Sequence, residues 1–289
     1  MQRVLITGAT GLLGCTLAAT LASRGWHVVR HGRRGGDLSG DLTDARDAKQ
    51  TIEQAGAECI VNLAALTDVD RCEAHPREAY LQNTRIVENL VAAIRRTQRT
   101  PYLVQISTDQ VYDGPGPHRE EDVMLTNYYS FSKYAGEMAA TGTPSTILRT
   151  NFFGASRVAG RASFSDWIVT ALERGDAVRV FTDVWFNPLS IERLAAMIAL
   201  VLERRVGGVF NLGSREGMTK ADFCYVLAQT LGLATATMTR SESGAAALRA
   251  YRPKDMRMAC DRFEAAFAVK LPTLRQEIES MRDCYHGRA

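Results

Sequence analysis

At 289 residues the chain is close to two ordinary domain lengths of about 150 residues each, ample for an autonomous core. Its apolar share of 46% and charged share of 23% are those of a soluble globular protein, and a net charge of +3 is too small and dispersed to imply nucleic acid. Six cysteines make no CxxC pair and no metal-ligand spacing with the five histidines, so a reduced, cytoplasmic protein with no assigned metal is expected. No signal peptide is read at the start, and the longest apolar helical segment, Leu194 to Leu202, falls far short of the roughly 20 residues that span a bilayer.

The first element is a short apolar strand ending at Thr7, followed by Gly8-Ala-Thr-Gly11-Leu-Leu-Gly14 and a helical run from Cys15. Strand, glycine turn and helix form the opening unit of a doubly wound sheet, whose helix amides receive a pyrophosphate. The spacing is GxxGxxG, which meets the GxGxxG fingerprint only in part. The second strand, Trp26 to His31, ends where an NAD-preferring enzyme places an acid. Here Arg30, Arg33 and Arg34 stand there, with no carboxylate before Asp37, which favours NADPH. Solvated loop charge is the alternative reading of Arg33 and Arg34.

A third strand, Glu58 to Asn62, precedes a long helical stretch from about Arg77 to Arg96, and Tyr102 to Ser107 is the next strand. The run Tyr129-Ser-Phe-Ser-Lys133 then places a phenol and an ammonium one helical turn apart on the same face. That pairing suits acid catalysis on a carbonyl, where a proton must reach oxygen as hydride reaches carbon. Bringing a tyrosine from its ordinary pKa of about 10 near neutrality needs about 4 kcal/mol of preferential stabilisation of the phenolate, for which Lys133 is placed. The Thr108 hydroxyl is placed to hold the substrate oxygen. Ser145 to Arg149 supplies another strand, completing the alternation of a parallel sheet.

With these features in order, the chain resembles the extended short-chain dehydrogenase/reductase superfamily and, within it, the dTDP-4-dehydrorhamnose reductase family. The similarity runs nearly end to end: Gly40-Asp41-Leu42, Val61 to Asp70, Leu81-Gln-Asn83, Ser107 to Gly114, Leu148-Arg-Thr150, Arg252-Pro253 and Leu271-Pro272 all fall in the family's order. The resemblance implies an α/β Rossmann fold, a doubly wound parallel sheet over residues 1–150 to which 190–212 returns. A smaller, discontinuous substrate-binding lobe is implied within 151–289. It implies Tyr129 as proton donor, Lys133 as the group that binds nicotinamide ribose and lowers the tyrosine pKa, and Thr108 on the substrate carbonyl. Gly8, Thr10, Gly11, Leu12, Leu13 and Gly14 would hold the pyrophosphate, with Asp41 and Leu42 at adenine. Ala64, Ala65 and Thr67 would run along the cofactor with Asn83 beside it, and Asp109, Gln110, Asn151 and Phe152 would face the sugar. Packing alone is the alternative for the alanines, and satisfaction of buried backbone groups for Asn83.

The activity implied is an NADPH-dependent 4-ketoreductase, with NADH possible, acting on a nucleotide-linked 6-deoxy-4-ketohexose, in a monomer or homodimer without membrane attachment. Two alternatives are a nucleotide-sugar epimerase with tightly held NAD and a non-catalytic regulatory subunit on the same fold. The chain departs from the family at Gln110, where related dehydratases carry an acid; a carboxamide cannot exchange a proton at neutral pH, which argues against dehydration. It departs again at Asn151 to Gly154 and at Met256 and Met258, all within the expected sugar site. Segments around Phe164 to Leu172, Met218 to Leu231 and Ser241 to His286 are expected to build the smaller lobe, with Ser241 to Ala250 its most mobile loop.

Overall fold

The computed structural model describes residues 2–246 and 248–286. The main sheet is built from β1 (Arg3–Thr7), β2 (His27–Gly32), β3 (Leu38–Ser39), β4 (Cys59–Asn62), β5 (Tyr102–Ile106) and β6 (Ser145–Thr150). Then come β7 (Phe152–Phe153), β8 (Val178–Phe181), β9 (Trp185–Phe186), β10 (Leu189–Ser190) and β11 (Gly208–Leu212). Seven of these strands pair in the order β11-β6-β5-β4-β1-β2-β3, all parallel. Both β4 and β5 are buried at every position, as strands covered by helices on both faces must be. Alternation along β1 explains the two layers: Val4 and Ile6 enter one core and Leu5 the other.

Helices α1 (Leu12–Ser23), α2 (Ala45–Ala55), α3 (Val69–Ala74), α4 (Pro76–Tyr80), α5 (Ile86–Ile94), α6 (Tyr128–Ala140), α7 (Phe164–Arg174) and α8 (Ile191–Arg204) follow in chain order. Residues of α1 and α8 fill the core on the Val4 side, and those of α2 and α5 the core on the Leu5 side. The long helical stretch expected from Arg77 is interrupted by a π turn at Leu81–Arg85. A Cβ on Gly136 of α6 would lie only 2.4 Å from the Asn83 carbonyl oxygen, so this bulge and that glycine let the two helices meet. Such closeness brings α6, with Tyr129 and Lys133, down onto the sheet.

A second core gathers Phe153, Phe186, Phe223, Leu227 and Ile278 around edge-to-face ring contacts of 4.9 and 5.3 Å. It holds α7, α9 (Lys220–Leu231) and α11 (Leu274–Ser280), and near it β8 pairs with β13 (Met238–Ser241) and β9 with β12 (Met218–Thr219). One expectation fails here. Within Ser241 to His286, α10 (Asp261–Phe267) joins the first core instead, because Phe263 and Phe267 stack at 4.5 Å and pack against Phe210 of β11. In the loop expected to be mobile, the Ser243 side chain bonds Asp183 at 3.0 Å, while Ala247 lies outside the described residues.

Candidate active site

The turn after β1 is shaped by what its glycines lack. Gly8 has a φ of +67°, and a Cβ there would stand 2.9 Å from the Ala64 nitrogen; a Cβ on Gly14 would stand 2.6 Å from the Ala9 Cα. Gly11 caps α1 without a side-chain bond, and the first turn of α1 contains no acidic residue. Its amides and the positive end of its dipole are therefore left for an anion, and a dinucleotide's diphosphate fits this cradle. Leu13 is buried and Leu12 packs against the same core, so both face such an anion through backbone amides alone. Thr10 turns its methyl toward Gly32, 3.1 Å from where a Cβ would sit.

At the end of β2 the nearest carboxylate is already committed, since Asp37 forms a 2.9 Å ion pair with Arg30. Arg33 and Arg34 are exposed, and Arg33 Nη2 donates to Gln82 Oε1 at 2.7 Å. Beneath them His31 is 2% exposed with neither ring nitrogen bonded, and burial lowers its pKa, which keeps the ring neutral. Asp41 is exposed and its Oδ1 accepts from both the amide and hydroxyl of Thr43. Leu42, expected at adenine, buries its side chain in the core against α2 and α5, so only its backbone is left to face a ligand.

Ala64 and Ala65 line the carboxyl end of β4, half-buried, and Thr67 is exposed beyond them. Asn83 matches its alternative reading as a buried backbone partner. Its amide nitrogen donates to Leu66 O and Ser132 Oγ while its oxygen accepts from Leu66 N, which ties the loop after β4 to α6.

Tyr129 lies in the first turn of α6, which a reciprocal capping box between Asn127 and Ser130 fixes in place. Its phenol faces the Thr108 hydroxyl, a hydrogen-bond partner that favours ionisation, but burial dominates and pushes its pKa up. Lys133 is 4% exposed and donates to the Ile106 carbonyl at 2.7 Å, and burial lowers its pKa to about 8 despite Glu137 nearby. The expected depression of the tyrosine by the lysine is therefore not seen in the protein alone. The ammonium is tied to β5, and the phenol holds its proton at neutral pH. Glu137 also takes a hydrogen bond from Ser107 and a 2.7 Å ion pair from Arg149, which clamps β5, α6 and β6 together beneath the site.

Past Thr108, Asp109 is almost completely buried, and its pKa is pushed up to about 6 by that burial, against a 2.7 Å hydrogen bond from Asn151 and the positive charge of Lys220. Lys220 was not visible as a site residue in the sequence. It opens α9 in the second core, with its Nζ 5.2 Å from the centre of Phe164 and 5.8 Å from Phe186. No carboxylate lies within ion-pair distance of it among the described residues, and burial lowers its pKa. Gln110 has a buried Oε1 without a partner, and Phe152 packs partly into the first core.

The model of the family described as RmlD substrate binding domain matches residues 1–286. The chain belongs to that family. Among its relatives, the probable low-salt glycan biosynthesis reductase Agl14 of Haloferax volcanii is 28% identical, with 97% of each chain covered. A solved dTDP-4-dehydrorhamnose reductase from Clostridium acetobutylicum superposes with a TM-score of 0.89 at 25% identity, covering 99% of this chain and 100% of its own. The same enzyme from Bacillus anthracis, solved in complex with NADP, gives 0.88 at 22% identity over 97% and 99%, and so shares the fold. RmlD-family membership fits the parallel sheet and its glycine turn. No helix among the described residues is long and apolar enough to cross a membrane.

Proposed function

We propose that the chain is an NADPH-dependent 4-ketoreductase of a nucleotide-linked 6-deoxy-4-ketohexose, working in the reducing cytoplasm that its six free thiols suit. The observation that carries this reading is the buried Tyr129 phenol facing the Thr108 hydroxyl, with Lys133 one helical turn on and bonded to the Ile106 carbonyl at the carboxyl end of β5. Residues 1–150 with 190–212 serve as the dinucleotide-binding domain, and most of 151–289 as the lobe that closes over the sugar. Gly8, Gly11 and Gly14 admit the diphosphate, Arg33 and Arg34 the 2′-phosphate, and Lys133 the nicotinamide ribose. A reduced nicotinamide bound there supplies the hydride.

The residues supply the rest. Thr108 holds the ketone oxygen by its hydroxyl, and Tyr129 delivers the proton to that oxygen. A raised tyrosine pKa suits this direction, because the phenol begins protonated and the alkoxide it meets is a far stronger base than a phenolate. Lys133, positively charged at neutral pH, donates to the Ile106 carbonyl beside the site. Asp109, Asn151, Gln110 and Lys220 surround the sugar, and the carboxamide of Gln110 cannot remove a ring proton as the acid at that position in related dehydratases does.

Incubating the protein with NADPH and a panel of nucleotide-linked 4-keto sugars, and following loss of reduced-cofactor absorbance, tests this. Turnover with at least one 6-deoxy-4-ketohexose is expected. NAD retained through purification would replace the reductase with the epimerase reading, and no turnover with any of them would replace it with the non-catalytic subunit.

A further inference from the structure

Between β7 and α7 the chain crosses toward the amino end of α1 as a short strap. It is anchored at both ends by one carboxylate: Ser156 N and Ser163 N donate to Asp166 at 3.0 and 2.8 Å, and Ser163 Oγ closes the strap on Gly154 O at 2.6 Å. Val158 and Ala159 then lie across a groove from Ala9 and Thr10 of the phosphate turn. Two arginines ride on the strap. Arg157 turns to Glu192 at 3.7 Å, whereas Arg161 has its Nη1 3.7 Å from the position a Cβ on Gly11 would occupy. Among the described residues no carboxylate pairs with Arg161. A planar, permanently charged fork thus stands over uncapped helix amides, in a turn whose sequence offers no cation of its own.

We propose that Arg161 is a diphosphate-binding residue contributed by the substrate lobe, which grips the dinucleotide from the side opposite the α1 amides and couples cofactor binding to the placement of that lobe. This rests on the cofactor reading above. The chemistry is one or two charge-assisted hydrogen bonds to non-bridging phosphate oxygens, for which the guanidinium has the matching geometry. The role differs from that of Arg33 and Arg34, which stand at the end of β2 and distinguish the 2′-phosphate. Arg161 touches a group common to NADPH and NADH and so adds affinity without preference.

Titration of the full chain with NADPH, NADH and adenosine 2′-monophosphate, read by quenching of tryptophan fluorescence, tests it. Arg161→Ala is expected to weaken NADPH and NADH by the same factor, about tenfold on the scale of one charge-assisted bond. Adenosine 2′-monophosphate, which has no diphosphate, is expected to bind unchanged, and Arg161→Lys to recover part of the loss. Unchanged NADPH affinity in Arg161→Ala, equal loss for adenosine 2′-monophosphate, or a lysine variant no better than alanine would overturn the assignment while leaving the cofactor reading intact. Failure of the unaltered protein to bind either dinucleotide would overturn both.

Discussion

On the sheet side of the cleft, Thr108, Tyr129 and Lys133 are all less than a tenth exposed and are held by backbone, a helix cap and a buried ion pair. On the lobe side, Lys220 lies over two aromatic rings with no ion-pair partner among the described residues, and Arg161 is exposed on a strap; between the two, Gln110 Oε1, beside Thr108, is buried with no partner among the described residues. The groups proposed to perform the chemistry are over-determined by their surroundings, and those proposed to face the substrate keep unused bonding capacity. A rigid site costs little reorganisation when the proton moves, whereas a recognition surface needs its polar groups free until the ligand arrives.

The sharpest way to break this contrast is to remove the phenol. Tyr129→Phe should lower kcat by about 10²–10⁴, the usual scale for losing a general acid, with NADPH affinity within about twofold of the unaltered protein. Stopped-flow turnover with a separate binding titration checks it. A variant that lost cofactor affinity as heavily as turnover would show that Tyr129 supports the cradle and not the proton.

A second effect lies between the two sides, at Asp109. Its pKa in the folded protein is about 6, against an ordinary 3.8, so protonation favours folding: the stabilisation is complete below about pH 3.8 and is lost as pH rises through about 6. The rise is worth about 3 kcal/mol, of which about half is lost between pH 5 and 7. Asp109→Asn should remove this loss, so urea unfolding of the variant should be flatter over that range than that of the unaltered chain. A parallel pH dependence in both would mean that Asp109 reaches more water than its burial suggests.

Smaller again is the effect of the lobe cation. Lys220→Met preserves the contact with Phe164 and Phe186 but removes the charge; the Michaelis constant for the sugar nucleotide should rise about tenfold while NADPH affinity holds. Because Lys220 pulls the Asp109 pKa down, that carboxyl should titrate above about 6 in the variant, which carboxyl carbon NMR can follow.

What was legible in the sequence follows the same division. The turn from Gly8 to Gly14 and the pair Tyr129 and Lys133 are local patterns, set by a turn that admits no Cβ and by one helical turn. Lys220 lies 111 positions after Asp109, and its place opposite that carboxylate exists only because Phe153, Phe186 and Phe223 pack a second core. Asn83 carries two readings in the sequence because its contacts with Leu66 and Ser132 are ones that no spacing reveals. The direction of the Tyr129 pKa in the protein alone differs from the spacing-based expectation for a related reason: a charged neighbour can be read from spacing, but burial cannot, and burial decides the direction here.

Arg33 gives the smallest and most selective prediction. Its guanidinium is exposed and, among the described residues, bonded only through Nη2 to Gln82, so it retains donors for a phosphate while water screens its charge. Arg33→Ala should weaken NADPH by about fivefold and leave NADH within about twofold, because Arg34 remains beside it and the lost contact is solvent-exposed. Raising salt should shrink the difference, as expected of an exposed phosphate contact. Equal loss for both dinucleotides would place Arg33 away from the 2′-phosphate and put the burden of preference on Arg34. That outcome would also remove the contrast with Arg161, whose loss is expected to fall equally on the two cofactors.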